Sequence, residues 1–159
     1  DRPAGELAAF APDGFGAALD PRLLVHLAGG TGAVGSIDVV LVRRGAGGGG
    51  ALAARDDLEL HPRVRRSRHH RRDVRVLGDD RGLVTIGRGL VDRVEISVEL
   101  TGAGHGTGAG RALIADGLAE IGRGDLVFAQ VAPGNAASLR AFLACGFVPI
   151  ASEVLIEPA

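Results

Sequence analysis

The chain has 159 residues, enough for one domain with a real core, and its 46% hydrophobic and 23% charged content excludes a disordered polymer. A net charge of −1 argues against general affinity for nucleic acid or membrane surfaces, and no apolar run reaches the ~18–20 residues that cross a bilayer. The single cysteine, Cys145, excludes an internal disulfide framework and fits a reducing, cytoplasmic setting.

All 18 basic residues are arginine, and lysine, tyrosine, tryptophan and methionine are absent, as a bias toward codons rich in G and C would produce. Without lysine there is no Walker-type phosphate loop and no Schiff base with pyridoxal phosphate. Without tyrosine, a reaction that needs a phenol must use another acid. No signal-peptide pattern opens the chain, which starts at Asp1 without methionine and so is compatible with a preceding segment.

In chain order, the first 38 residues carry few signals; within them Asp20–Gly30 fits a short helix, with Asp20 as cap, Pro21 in its first turn and glycines at its end. Ile37–Arg44 has the β-branched run of a buried strand, and Gly45–Gly50 reads as a flexible connector. His61–Arg72 predicts a helix with Pro62 in its first turn. Asp73–Leu90 predicts a hairpin. Arg93–Leu100 alternates strictly: Val94, Ile96, Val98 and Leu100 on one face, Glu95, Ser97 and Glu99 on the other. A Gly-rich loop follows, then a helix with Ile114, Leu118 and Ile121 on one stripe. Asp125–Val131 reads as a strand covered on both faces. Asn135 caps a helix that runs to Cys145 and is stopped by Gly146, and Phe147–Glu157 supplies one or two closing strands.

Two glycine patterns invite a dinucleotide-binding reading. Gly30–Gly35 (GTGAVG) fits by letter, but the strand-like run that follows leaves no room for the helix such a loop must open. Gly104–Ala109 (GHGTGA) does open a helix, yet Asp125 begins the next strand, where a ribose-binding acid should end it.

His105–Gly110 (HGTGAG) followed by Arg-Ala-Leu has a better counterpart. It resembles the coenzyme A pyrophosphate loop of the GNAT superfamily of N-acetyltransferases, with His105 where the family has Arg or Gln and with Gly108 and Gly110 at its two small positions. Several converging N–H donors suit a diphosphate, and a Cβ there would block its approach. Asn135–Phe147 (NAASLRAFLACGF) is similar to the family's second signature, with Asn135, Ser138, Phe142, Gly146 and Phe147 in register. The resemblance covers residues 93–158 and extends to the hairpin at 74–92, whereas residues 1–60 are poorly matched.

The resemblance implies an α/β fold: one GNAT-like domain over residues 1–159, its mixed β-sheet flanked by helices on both faces, with two splayed central parallel strands, Arg93–Leu100 and Asp125–Val131. Acetyl-CoA would be the cosubstrate, and no metal is implied, since His61, His69 and His70 lack a cysteine or paired carboxylate to complete a site. Backbone near Val98 and Leu100 would pair with the pantetheine arm. The N–H groups of His105, Gly106, Thr107, Gly108, Ala109, Gly110 and Arg111 would hold the pyrophosphate, and Asn135 and Phe142 complete the coenzyme site. A primary amine of unspecified identity, on a small molecule or a peptide, would attack the thioester directly. No nucleic acid or membrane partner is expected, and a homodimer is compatible.

An alkylamine of pKa ~10.4 is neutral about one time in a thousand at physiological pH, so a base is worth ~4 kcal/mol. Glu95 and Glu99 are the candidates; the family resemblance favours Glu95, which lies farther from the loop, Glu99 is closer to the thioester end, and burial is expected to raise their pKa. Many relatives place a tyrosine acid where this chain has Phe142; Ser138 or water is the candidate substitute, Cys145 a more distant one, and a thiol of pKa ~8.5 also leaves unaided. The alternative is a catalytically weak acyl-CoA-binding module with a regulatory or interaction role; a dinucleotide-dependent oxidoreductase is more distant. The segment His61–Arg75, with seven arginines and three histidines, reads first as a solvated helix face offset by nearby acids, and second as a site for an anionic substrate or the coenzyme's 3′-phosphate.

Overall fold

The computed structural model describes residues 3–10, 16–102 and 107–159, and these form a mixed α/β protein. Five α-helices are present among them: α1 (Ala4–Ala8), α2 (Pro21–Ala28), α3 (Pro62–His70), α4 (Ala109–Ala119) and α5 (Ala136–Ala144). Seven strands, β1 (Ala33–Arg44), β2 (Ala53–Ala54), β3 (Arg72–Asp79), β4 (Gly82–Arg88), β5 (Val94–Leu100), β6 (Leu126–Val131) and β7 (Val148–Glu157), form one sheet in the order β2-β3-β4-β5-β6-β1-β7. No helix among the described residues is long and apolar enough to cross a membrane.

The chain divides into two compact units, residues 1–38 with 152–159 and residues 39–151. In the first, Asp20 caps α2 by accepting a hydrogen bond from the Arg22 N–H at 2.8 Å, and Gly29, at φ 79°, ends it. The GTGAVG stretch opens no helix; β1 begins inside it, at Ala33. A Cβ on Gly35 would come within 2.8 Å of the Leu155 carbonyl, so bare backbone is what lets these two segments lie together.

The second unit holds the core. β3, β4 and β5 are antiparallel neighbours, and β6 is antiparallel to the end of β1, with Val39 opposite Val131 and Arg44 opposite Leu126. Alternation along β4 and β5 separates two environments. Val84, Ile86 and Ile96 pack with Leu113, Ile114 and Leu118 of α4, while Thr85 and Ser97 face α3, where Ser67 Oγ lies 2.8 Å from Thr85 Oγ1. Helices thus cover both faces of these strands. Gly117 brings α4 close, since a Cβ there would lie 2.9 Å from Ile96 Cδ1.

β5 and β6 are parallel, but their registered pairing is confined to Val94↔Val127 and Glu95↔Phe128. Beyond that point β5 remains paired to β4 out to Leu100, and β6 to β1 out to Val131. Among the described residues, one backbone edge of Ile96–Leu100 and one of Ala129–Val131 therefore have no strand partner.

Two expectations change. β6 is not covered evenly on both faces; Val127, Ala129 and Val131 are buried while Leu126 is exposed. The glycine run after β1 is anchored where a loose connector was expected. Gly45 N–H donates to Asp125 C=O, Ala46 N–H to Leu118 C=O and Gly47 N–H to Ile121 C=O, each at 2.9 Å. A Cβ on Gly45 would sit 2.5 Å from the Gly122 carbonyl oxygen and 2.7 Å from that of Ile121. Close backbone approach is what Gly45 serves, whereas a Cβ on Gly48 or Gly49 would meet nothing within 4 Å. Gly45→Ala should therefore lower unfolding free energy by about 1–3 kcal/mol in urea titration. Gly134→Ala, where a Cβ meets nothing within 4 Å, should change it by no more than ~0.5 kcal/mol.

Candidate functional site

The end of β5 and the start of α4 bracket the glycine loop. Within it, His105 and Gly106 lie outside the described residues. Gly108 is the N-cap of α4 with φ 86°, a left-handed conformation that glycine adopts without strain. Its missing Cβ would point into open space, whereas a Cβ on Gly110 would rest in ordinary contact with Leu100 Cδ1 at 3.6 Å. The loop's two small positions thus differ: the first is demanded by backbone conformation, and the second has room for alanine. Thr107, Gly108, Ala109, Arg111, Ala112 and Ala115 line one open depression over the first turns of α4. The first-turn N–H groups of a helix lack intrahelical partners and carry the positive end of its dipole; here Ala109 N–H lies 3.4 Å from Thr107 Oγ1. The depression suits an anion, and Ala112 and Ala115 extend it along the helix beyond the residues expected from the motif.

On the opposite face of the sheet, Glu95 is 5% exposed and its carboxylate is shared. Arg71 Nε donates to Oε2 and Arg93 Nε to Oε1, both at 2.6 Å. Burial pushes the Glu95 carboxyl up, but bonds from Arg93, Arg71 and Gln130 outweigh it and hold the pKa below its ordinary value. The expectation that burial raises it toward neutrality is therefore reversed at Glu95. Gly89 gives this carboxylate its space, since a Cβ there would overlap it. The Arg93 guanidinium also lies 5.5 Å above the Phe128 ring centroid.

Glu99, at the far end of β5, is partly exposed. Arg63 Nε donates to its Oε2 at 2.5 Å, while its Oε1 lies 3.9 Å from His61 Nε2, beyond hydrogen-bond length. The Arg63 N–H donates to His61 Nδ1 at 3.3 Å; with Nδ1 accepting, the proton of the neutral imidazole sits on Nε2, facing Glu99. Val98 and Leu100 are partly buried against the α4-side core.

Asn135 caps α5, its Oδ1 accepting from Ser138 N–H at 3.1 Å, and Ser138 is half-buried in the helix's first turn. Phe142 lies in the core, 5% exposed, edge-on to Phe147 with ring centroids 5.0 Å apart. Cys145 Sγ donates to the Arg111 carbonyl at 3.3 Å, and burial pushes its thiol up.

No protein-family model matches the chain, and no curated protein sequence matches it. The functional reading rests on the chain's own geometry.

The site brings Glu95, Ser97 and Glu99 onto the α3 face, and the glycine loop to the neighbouring end of β5. Sequence reasoning placed His61, Arg63 and Arg71 only within a basic segment whose second reading was an anion site, and it missed Arg93 and Gln130. Arg93 was within reach, because it shares the strand face of Glu95 two residues on; Arg71 carries no such local signal. Glu95→Ala would leave two guanidiniums around an emptied pocket and should cost about 3–5 kcal/mol at pH 7. Because the folded pKa of Glu95 is depressed, its contribution is complete above the unfolded value of 4.5 and is lost as pH falls through the lower folded value. Urea titrations across pH 2–7 should show that acid-side loss in the parent chain and a shallower slope in the variant.

Proposed function

We infer that the chain is a GNAT-like acyltransferase that moves an acetyl group from acetyl-CoA to a primary amine. One observation carries this reading: two parallel neighbours, β5 and β6, pair only at their first residues and then part, and the next helix in the chain, α4, is capped by the left-handed Gly108. Parted parallel strands offer free backbone N–H and C=O groups to an extended, amide-containing arm, and the helix start offers N–H groups to its diphosphate. The sequence motifs support this reading, with Gly108 at the start of α4 after β5 and Asn135 at the start of α5 after β6.

In this reading the pantetheine arm lies along the free edge of β5 near Val98 and Leu100, and the pyrophosphate over Gly108, Ala109, Gly110 and Arg111. The α3 face is then left to the amine. Its nitrogen attacks the thioester carbon, the C–S bond breaks, and the thiolate leaves. Glu99 is the better base of the two carboxylates: it is partly exposed, one of its oxygens has no close cation, and His61 stands behind it. Glu95 is held ionised by two guanidiniums and acts by positioning them. Phe142, buried against Phe147, donates no proton, so the thiolate leaves unassisted or takes a proton from solvent.

The same buried Phe142 favours a second reading, an acyl-CoA-binding module with little turnover. Glu99→Gln separates the two. An enzyme should lose ~10²–10⁴-fold in turnover while retaining coenzyme affinity, and a binding module should show no amine-dependent thiol release to lose. Calorimetric titration should detect acetyl-CoA but not NADH, and Gly108→Asp should abolish that binding through backbone strain and like charge. Unchanged affinity in this variant would remove the diphosphate from the loop.

A further inference from the structure

The arginines of His61–Arg75 are mostly spent on their neighbours. Arg63 meets Glu99, Arg68 meets Glu59, Arg72 meets Asp92 and Arg75 meets Glu120, all through well-exposed guanidiniums. Arg71 is different. It is the C-cap of α3, and its side chain is 12% exposed. It lies where β5 and β6 part, touching Glu95 and Ser97 on one strand and Gln130 on the other.

Its contacts are unequal. Nε has the strong bond to Glu95 at 2.6 Å. Among the described residues, Nη1 meets hydroxyls, Ser67 Oγ at 3.3 Å and Ser97 Oγ at 3.5 Å, and Nη2 meets Gln130 Oε1 at 3.3 Å. These are long, neutral contacts at the limit of hydrogen bonding. Glu95 gives Arg71 one oxygen and Arg93 the other. A guanidinium fork held this loosely favours a carboxylate, which supplies two parallel charge-assisted bonds in place of the long ones.

The backbone around this centre is strained. Among the described residues, the non-glycine positions with left-handed φ are Asp73 (52°), Val91 (47°) and Asp92 (64°). Asp73 sits in the irregularity of β3 two residues after Arg71, and Val91 and Asp92 immediately precede Arg93. The Arg72–Asp92 ion pair, at 2.6 Å, ties the two segments together. Such strain persists only where the surroundings over-determine it, and what it frames here is the placement of Arg71 and Arg93 about Glu95.

We propose that the Arg71 fork binds the carboxylate of the acceptor, making that acceptor an α- or β-amino acid. This rests on the acetyl-transfer reading. With the coenzyme entering from the glycine turn, the acceptor lies on the α3 face. A carboxylate on Arg71 sits beside Ser97 and Gln130, on the strands that flank the thioester. The attacking nitrogen must then be only a few bonds away. The N–C bond forms, the C–S bond breaks, and the amine's proton passes through Glu99 to solvent, giving an N-acetyl amino acid and free coenzyme A.

The test uses the full chain: calorimetric binding of acetyl-CoA, then thiol release with the common L-amino acids and β-alanine, each against its carboxamide. At least one acid should be turned over with kcat/KM on the order of 10²-fold above that of its carboxamide. Arg71→Lys keeps a cation beside Glu95 but loses the fork, and should raise KM for that acid ~10-fold or more and narrow the acid-to-carboxamide preference accordingly. Equal losses on acid and carboxamide would mark a structural role and overturn the proposal. So would acetyl-CoA binding without turnover of any acid. Turnover of carboxylate-free amines with no preference for acids would overturn it while leaving acetyl transfer standing; absence of acetyl-CoA binding would remove both.

Discussion

A buried carboxylate between two arginines is the interaction on which the second unit of this protein turns. Burying an ion costs several kcal/mol unless partners replace its water, so Glu95 is tolerable only because Arg71 and Arg93 each occupy one of its oxygens. The constraint also runs the other way. Arg71 belongs to the end of α3 and Arg93 to the approach to β5, so satisfying Glu95 fixes helix, strand and intervening turn in one arrangement. Gly89 leaves room for the carboxylate, and the left-handed backbone at Asp73, Val91 and Asp92 is held in place around it.

The consequence for chemistry is a division of labour between two glutamates only four residues apart on one strand face. Glu95 is dry and locked by cations that keep it ionised; Glu99 is partly exposed and engaged on one oxygen. Identical side chains on one strand thus acquire different environments from their depth and from the cations that meet them. A carboxylate gripped on both oxygens positions its neighbours well and accepts protons poorly.

The two ends of β5 are built on opposite principles. At its beginning, strand pairing and the Glu95 ion pairs close the structure. At its end, pairing to β6 stops, the backbone edge is free, and glycine replaces side chains. In the acetyl-transfer reading proposed above, that open end is where an extended, anionic coenzyme would lie, because backbone N–H groups can bond a ligand only if no side chain intervenes.

Most of the framework was legible in the residues themselves, because it depends on neighbours close in sequence. Asp20 and Asn135 marked helix starts, Gly29 and Gly146 marked helix ends, and the alternation of Val94–Leu100 assigned Glu95, Ser97 and Glu99 to a shared face. The anchoring of Gly45–Gly47 was not legible, since its bonds run to carbonyls more than seventy residues away. Nor was the state of Glu95: its burial could be inferred from the strand, but the sign of its pKa shift depended on Arg71, twenty-four residues earlier and on a different element. Periodicity and capping are local, and the chain alone determined them. Which charges meet, and which oxygens they leave free, is settled only when separate elements pack, because electrostatics acts through space and not along the backbone.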